Sequence, residues 1–310
     1  MEPPGKLLQE PDGENDGLKA VRGKDPKLAT LQVLPAEDIV RPGQTIALRV
    51  NGFDAAGEKL DIAPDSVRLE VRGPATIEGR TLTINADAGH EAVWVTARNT
   101  EGGADGSADQ EPDQPSLARF RVVPPLPWHF DFSDGQIPVT WIGARYRHEA
   151  RVVDGEPVLV KISTIPKGTR SQTWFGPTNL HDYTITADVR AIGKDKLPDM
   201  GVIAQRYVMD MMGESQKLQI RTWAAQLRMA QDKPLPTEAN LWYTIKLRAT
   251  TQPDMVLLEG KVWPRGDAEP AEWTLTATDP SPNRVGSPGL FGNATNAEIL
   301  IDNVTVVAND

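Results

Sequence analysis

The chain has no cysteine. Disulfides, thiolate nucleophiles and cysteine-based zinc sites are therefore excluded. Histidine is scarce, with 4 residues in 310. His90, His129, His148 and His181 are scattered, with neither an HExxH pair nor any other metal-ligand spacing. A phosphate-cradling glycine-rich loop and a Gly-x-Ser-x-Gly nucleophile elbow are also missing. Basic residues are outnumbered: Lys+Arg 33 against Asp+Glu 43 gives a formal charge of −10. Phosphate binding needs a basic footprint, so a nucleic-acid duplex is a poor partner, and so is an anionic membrane surface. No apolar run approaches the length of a membrane span. Met1 is followed by Glu-Pro-Pro-Gly, without the basic stretch and apolar core of a secretory signal peptide.

What is present points to a soluble, turn-rich protein. Apolar residues make up 39% and charged residues 25%, and 310 residues suffice for two cores. Gly 26 and Pro 26 favour many turns over long helices. Residues 1–27 read as a polar linker. Asp12, Glu14 and Asp16 before Gly17 imitate the first half of an EF-hand loop, but the position for its bidentate glutamate is Gly23. The linker reading stands ahead of a calcium loop there.

From 28 to 123 short strands are expected at 30–33, 45–50, 67–71, 76–84, 92–97 and 118–123. Ile46, Leu48 and Val50 alternate with polar or small neighbours, and Val93, Val95 and Ala97 do the same. Such spacing suggests an immunoglobulin-like sandwich. Leu34-Pro35, Arg41-Pro-Gly-Gln-Thr45 and Asp54-Ala-Ala-Gly57 resemble the bacterial Ig-like family in their order. The family resemblance implies a spacer or adhesive unit. Residues 102–115 read as an acidic exposed loop, and Pro124-Pro-Leu-Pro127 as a stiff hinge.

From 128 to 308 the expected strands are longer. Ile185, Ala187 and Val189 share one face, as do Tyr243, Ile245 and Leu247, and Leu218 and Ile220. Two stacked antiparallel sheets, a jelly roll, follow. The expected fold is all-β: an Ig-like β-sandwich followed by a concanavalin A-like jelly-roll sandwich.

The order Trp141-Ile-Gly-Ala-Arg145, Gln205-Arg206-Tyr207, Leu241-Trp-Tyr243, Lys261-Val-Trp-Pro-Arg265, Gly286-Ser-Pro-Gly-Leu-Phe-Gly292 and Ile301-Asp-Asn-Val304 carries a wider resemblance. It is similar to the C-terminal region of PQQ-binding-like β-propeller repeat proteins of planctomycete type. In these an Ig-like segment precedes a concanavalin A-like, laminin-G-like domain. Nothing in this chain repeats with a propeller's blade period, so no PQQ-related function is carried over. The resemblance implies an excised piece of an exported bacterial protein, periplasmic or on the cell envelope, with the absent propeller as one partner. A free-standing cytoplasmic protein is the alternative.

Three function classes stay open. A glycan- or protein-binding module, non-catalytic, leads. Six of the eight tryptophans lie from Trp141 to Trp273, and an indole stacks on the C–H face of a sugar while Arg and Gln take its hydroxyls. Trp141, Arg145, Gln205, Arg206, Arg221, Trp223 and Trp263 are the candidate surface. A purely structural module, with those tryptophans sealing sheet edges, is the second class. A glycoside hydrolase is the third, with Asp188, Glu259 and Asp210 as carboxylates to pair. Related 3-keto-disaccharide hydrolases carry a Tyr-Glu-x-Gln stretch, where this chain reads Lys217-Leu-Gln-Ile-Arg-Thr222. No cofactor is expected beyond a structural calcium. Asp302 is in phase with Leu300 and Val304, hence expected inward, with Asp131 and Asp134 as its companions.

Overall fold

The computed structural model describes residues 27–100, 116–163, 169–193, 196–222 and 227–309. The imitation EF-hand loop, the acidic 102–115 stretch and Trp223 lie outside them. The chain is all-β. Among the described residues only a short 3-10 turn, Pro64–Ser66, interrupts strands and loops.

The N-terminal strands form three small sheets around one core. Glu37–Val40, Ser116–Val122, Glu91–Asn99 and Val67–Arg72 make the largest of them. The expected single strand at 45–50 is two. Thr45–Ala47 pairs with Thr81–Ile84, whereas Arg49–Phe53 pairs with Thr30–Leu34. The chain thus changes sheets at Leu48 while Ile46 and Leu48 keep their common buried phase. The expected strand at 76–84 is likewise a hairpin, turned at Gly79, whose φ is +58°.

The C-terminal strands form a jelly roll of two packed sheets. The larger has eight strands and runs His148–Val153, Glu156–Lys161, Ala297–Ala308, Tyr183–Gly193, Trp242–Thr251, Val256–Pro264, Leu275–Asp279, with Trp128–Phe130 beside the end of 297–308. The smaller runs Arg170–Trp174, Gly289–Asn293, Asp199–Ala204, Tyr207–Met212, Lys217–Arg221, Ala230–Pro234. Period-two burial holds: Ile185, Ala187, Val189, Ile245, Leu247, Leu218 and Ile220 all enter the core between the sheets. Trp141 stacks on Phe175 in that core, 4.4 Å between ring centroids. The N-terminal unit abuts it where Val123 joins the same core and His90 meets the edges of Trp128 and Phe130.

One phase expectation fails for a local reason. The 183–193 and 297–308 strands lose register between Thr186 and Asp188, and Asn303 adopts φ +48°. This is a β-bulge, which inserts a residue and flips the faces beyond it. Ile299 and Ile301 face the core before the bulge and Val304 and Val306 after it. Asp302 therefore sits with Leu300 on the outer face, not inward. Asn303 holds the bulge by donating to Asp188 and Asp302.

Candidate functional site

The outer faces of the two sheets differ in kind. On the eight-stranded sheet, charges cancel pairwise. Arg265 bridges Glu156, Asp188 and Asp302 at 3.0 to 3.3 Å, and Arg248 holds Glu259 at 2.6 Å. Trp242 lies between the guanidiniums of Arg190 and Arg265, and Trp273 between Arg248 and Lys261. Trp263 is half-buried on this same face, opposite Thr244. Asp188 and Glu259 thus have cationic partners here and stand apart from the other sheet.

The outer face of the six-stranded sheet is hollow. Directly paired residues share a face in an antiparallel sheet, so the register lays out three rows. Trp174, Gly289, Ile203, Val208 and Arg221 form the first. Gln172, Phe291, Gly201, Asp210 and Gln219 form the second. Arg170, Asn293 and Asp199 continue the third, and Met212 and Lys217 follow on the next two strands. Gly201 puts no side chain between Phe291 and Asp210. Over this face opens a cleft of about 760 Å³, walled on one side by the loop of Gly143, Tyr146 and Arg147. Its floor is aromatic and its sides polar. Phe291, Ile203 and Val208 pack together with Trp174 against them. Tyr146 stands at the mouth, 87% exposed.

Asp210 is the electrostatic centre. Its residue is only 2% exposed, and burial pushes its carboxyl up to about 6. Arg221, 3.4 Å away, opposes that rise, and the neighbouring Asp199 adds to it. One carboxylate oxygen, Oδ1, is buried with no hydrogen-bond partner. Asp199 is held differently: it accepts from the backbone N–H of Gly213 and from Asn293 Nδ2, at 3.1 and 3.0 Å. Arg221 also lies over Phe291, 5.2 Å from the ring centroid.

Of the seven candidate ligand-binding residues, Arg221 lines this cleft. Trp141 is core. Gln205 is fully buried in a two-residue turn with Arg206, both at positive φ. Its side chain accepts from the Asp182 N–H and donates to Thr251, Asn283 and Arg284, which locks one end of the sandwich. Arg206 is exposed beside Gly286, and Arg145 lines a separate hollow with His90 and Asp131. Among the described residues no three His, Asp or Glu side chains are grouped to hold a metal ion. Asp302 pairs with Arg265, while Asp131 accepts from Ser133 and Asp134 from the Gln136 N–H. The expected calcium set is therefore not assembled from these three. His90 is half-buried and His148 buried, and desolvation lowers each to about 4, leaving both uncharged at neutral pH.

Trp174, Tyr146, Phe291, Arg170, Gln172 and Asp199 were not among the candidates. The alternation of Arg170, Gln172 and Trp174 was legible as one strand face. Which face opened to a cleft was not, because that depends on which strands neighbour it.

No family model and no curated protein matches the chain. Solved structures are similar to part of the chain at low identity. A β-1,3-glucanase from Mycobacterium marinum is 14% identical over 58% of this chain and 97% of its own, with a TM-score of 0.38. The lectin I of Ulex europaeus, solved with the methyl glycoside of α-L-fucose, is 10% identical over 59% and 98%, with a TM-score of 0.38. A Bacillus subtilis protein with a galectin-like fold is 13% identical over 59% and 96%, TM-score 0.39. Among the described residues no helix is long and apolar enough to cross a membrane.

Proposed function

We propose that the C-terminal sandwich binds carbohydrate in the cleft of its six-stranded sheet. The observation that supports this most is the make-up of that cleft: an aromatic floor and rim beside convergent hydrogen-bonding groups. Trp174, Phe291 and Tyr146 offer apolar faces for sugar C–H groups, and Gln172, Asn293, Asp199 and Arg221 offer donors and acceptors for hydroxyls. The back of the eight-stranded sheet, with its charges already paired, offers little to a ligand. The N-terminal sandwich serves as a spacer.

Tyr146→Ala tests the reading cleanly because the side chain is almost wholly exposed. An aromatic contact of about 0.5–1.5 kcal/mol predicts a 2- to 10-fold rise in Kd for a bound oligosaccharide, with Tm unchanged. Calorimetric titration and a melting curve measure both. Unchanged affinity would remove the ligand from the cleft mouth.

A second reading, hydrolysis, has one observation in its favour. Asp199 and Asp210 are diagonal neighbours on paired strands, and the charge of Asp199 helps to raise the Asp210 carboxyl. A raised acid beside a second carboxylate is the pairing that inverting glycosidases use. Asp210 would give its proton to the leaving oxygen as the C–O bond breaks, while Asp199 takes a proton from the attacking water. Release of reducing ends that stops in both Asp199→Asn and Asp210→Asn would establish it; binding without release would leave a lectin-like module.

A further inference from the structure

We propose that the sugar this cleft prefers is acidic, and that its carboxylate or sulfate group sits at the end of the cleft formed by Arg147 and Arg170. The inference rests on the carbohydrate reading above and specifies its ligand class.

The argument begins with charge balance. In an acidic chain, cations find carboxylates readily. Arg151, Arg190, Arg221, Arg228, Arg248 and Arg265 of this sandwich all do so. Arg147 and Arg170 line the cleft, and among the described residues neither is paired with a carboxylate. Arg147 instead donates to the backbone oxygen of Arg170, which draws the two residues together. Their guanidiniums remain available as planar forks, the shape that binds a carboxylate or sulfate bidentately.

A third cation lies behind them. Lys161 is fully buried, and its Nζ has no hydrogen-bond partner. It sits on the interior face of the 156–161 strand, its stem close to Gly292 and so to Ser171. A Cβ built on Gly292 would lie 3.3 Å from Ser171 Oγ and 3.5 Å from Lys161 Cγ. Burial, with Arg147 adding to it, lowers the Lys161 ammonium to about 8. A buried unpaired cation is costly. Arg147 and Arg170 thus crowd one end of the cleft, with Lys161 buried beneath them between the sheets, while Asp199 and Asp210 lie further along it. An anionic ligand group at this end would relieve the crowding, and a neutral sugar would not. The polarity also sets direction: the acidic substituent points to the 170–174 strand and away from Asp210.

The test is calorimetric titration of the whole chain with three probes of equal length: an oligogalacturonate, a sulfated dextran oligomer and a neutral glucan oligomer. At least one acidic probe is expected to bind tenfold or more tightly than the neutral one. Arg147→Gln combined with Arg170→Gln should abolish that preference, weakening the acidic probe tenfold or more beyond any change for the neutral one, with a melting curve verifying the fold. Preference for the carboxylated or for the sulfated probe identifies which anion is recognised. Acidic and neutral probes binding equally would overturn the inference while leaving the carbohydrate reading intact. Acidic binding that survives the double substitution would overturn it too. Absence of binding by all three would overturn both.

Discussion

Asp210→Asn stabilises the protein at pH 8 and loses that advantage near pH 4. The carboxyl is raised from 3.8 to about 6 by burial, so the folded state holds its proton more tightly than the unfolded chain does. Between these two values the folded state binds more protons, and stability falls as pH rises through that window. Above about 6 the folded protein carries the full cost of a buried anion. Two pH units at about 1.4 kcal/mol each give on the order of 3 kcal/mol. That figure is already net of Arg221, whose charge and hydrogen bond hold the value down. The neutral amide should therefore raise Tm by several degrees at pH 8, by roughly 2–4 °C per kcal/mol. Near pH 4, where the carboxyl is protonated in the fold, wild type and variant should melt together. A side chain that costs stability at neutral pH and lines a cleft is what the proposed ligand role of that cleft leads one to expect. Melting curves at the two pH values decide it. A variant less stable than wild type at pH 8 would mean that Arg221 more than offsets the burial, and that Asp210 is a structural ion-pair partner.

Gly201→Ala is expected to be the most damaging small substitution in the cleft. A Cβ there would lie 2.2 Å from the Met209 carbonyl oxygen and 2.8 Å from the Asp210 Cα. These are backbone atoms of the paired strand, and they cannot turn aside as a side chain can. The strands must part, at the overpacking cost of about 1–3 kcal/mol. The methyl also fills the hollow between Phe291 and Asp210, so glycan affinity should drop with stability. The control is Gly89→Ala, where nothing lies within 4 Å of the added atom. Its Tm should move by no more than a degree or two. Equal behaviour of the two variants would mean that the sheet relaxes around residue 201 without cost.

The contrast between what could and could not be read from the residues follows the range of the interactions. Alternation is local, so the faces of 183–193, 217–221 and 242–251 were legible from the chain alone. The outer phase of Trp263 with Glu259 and Lys261 was legible for the same reason. Pairing is non-local. Trp174 and Asp210 are far apart in sequence and meet only because the 289–293 and 199–204 strands lie between them. Asp302 shows the limit most sharply. Its phase was read correctly against Leu300, yet one bulge residue at Asn303 separates it from the phase of Val304. Gln205 and Trp141 misled for another reason: an amphipathic side chain can face a ligand or close a core, and its type alone does not distinguish the two.

The most direct measurement is a glycan-array screen of the whole chain beside the doubly substituted Tyr146→Ala, Arg170→Ala protein. Both side chains are exposed at the cleft, so the fold should survive their loss, as a shared melting curve would verify. Carbohydrate binding in the cleft predicts a defined set of hits with wild type that fade or vanish with the variant. Hits retained in full by the variant, or an array blank for both proteins, would contradict it.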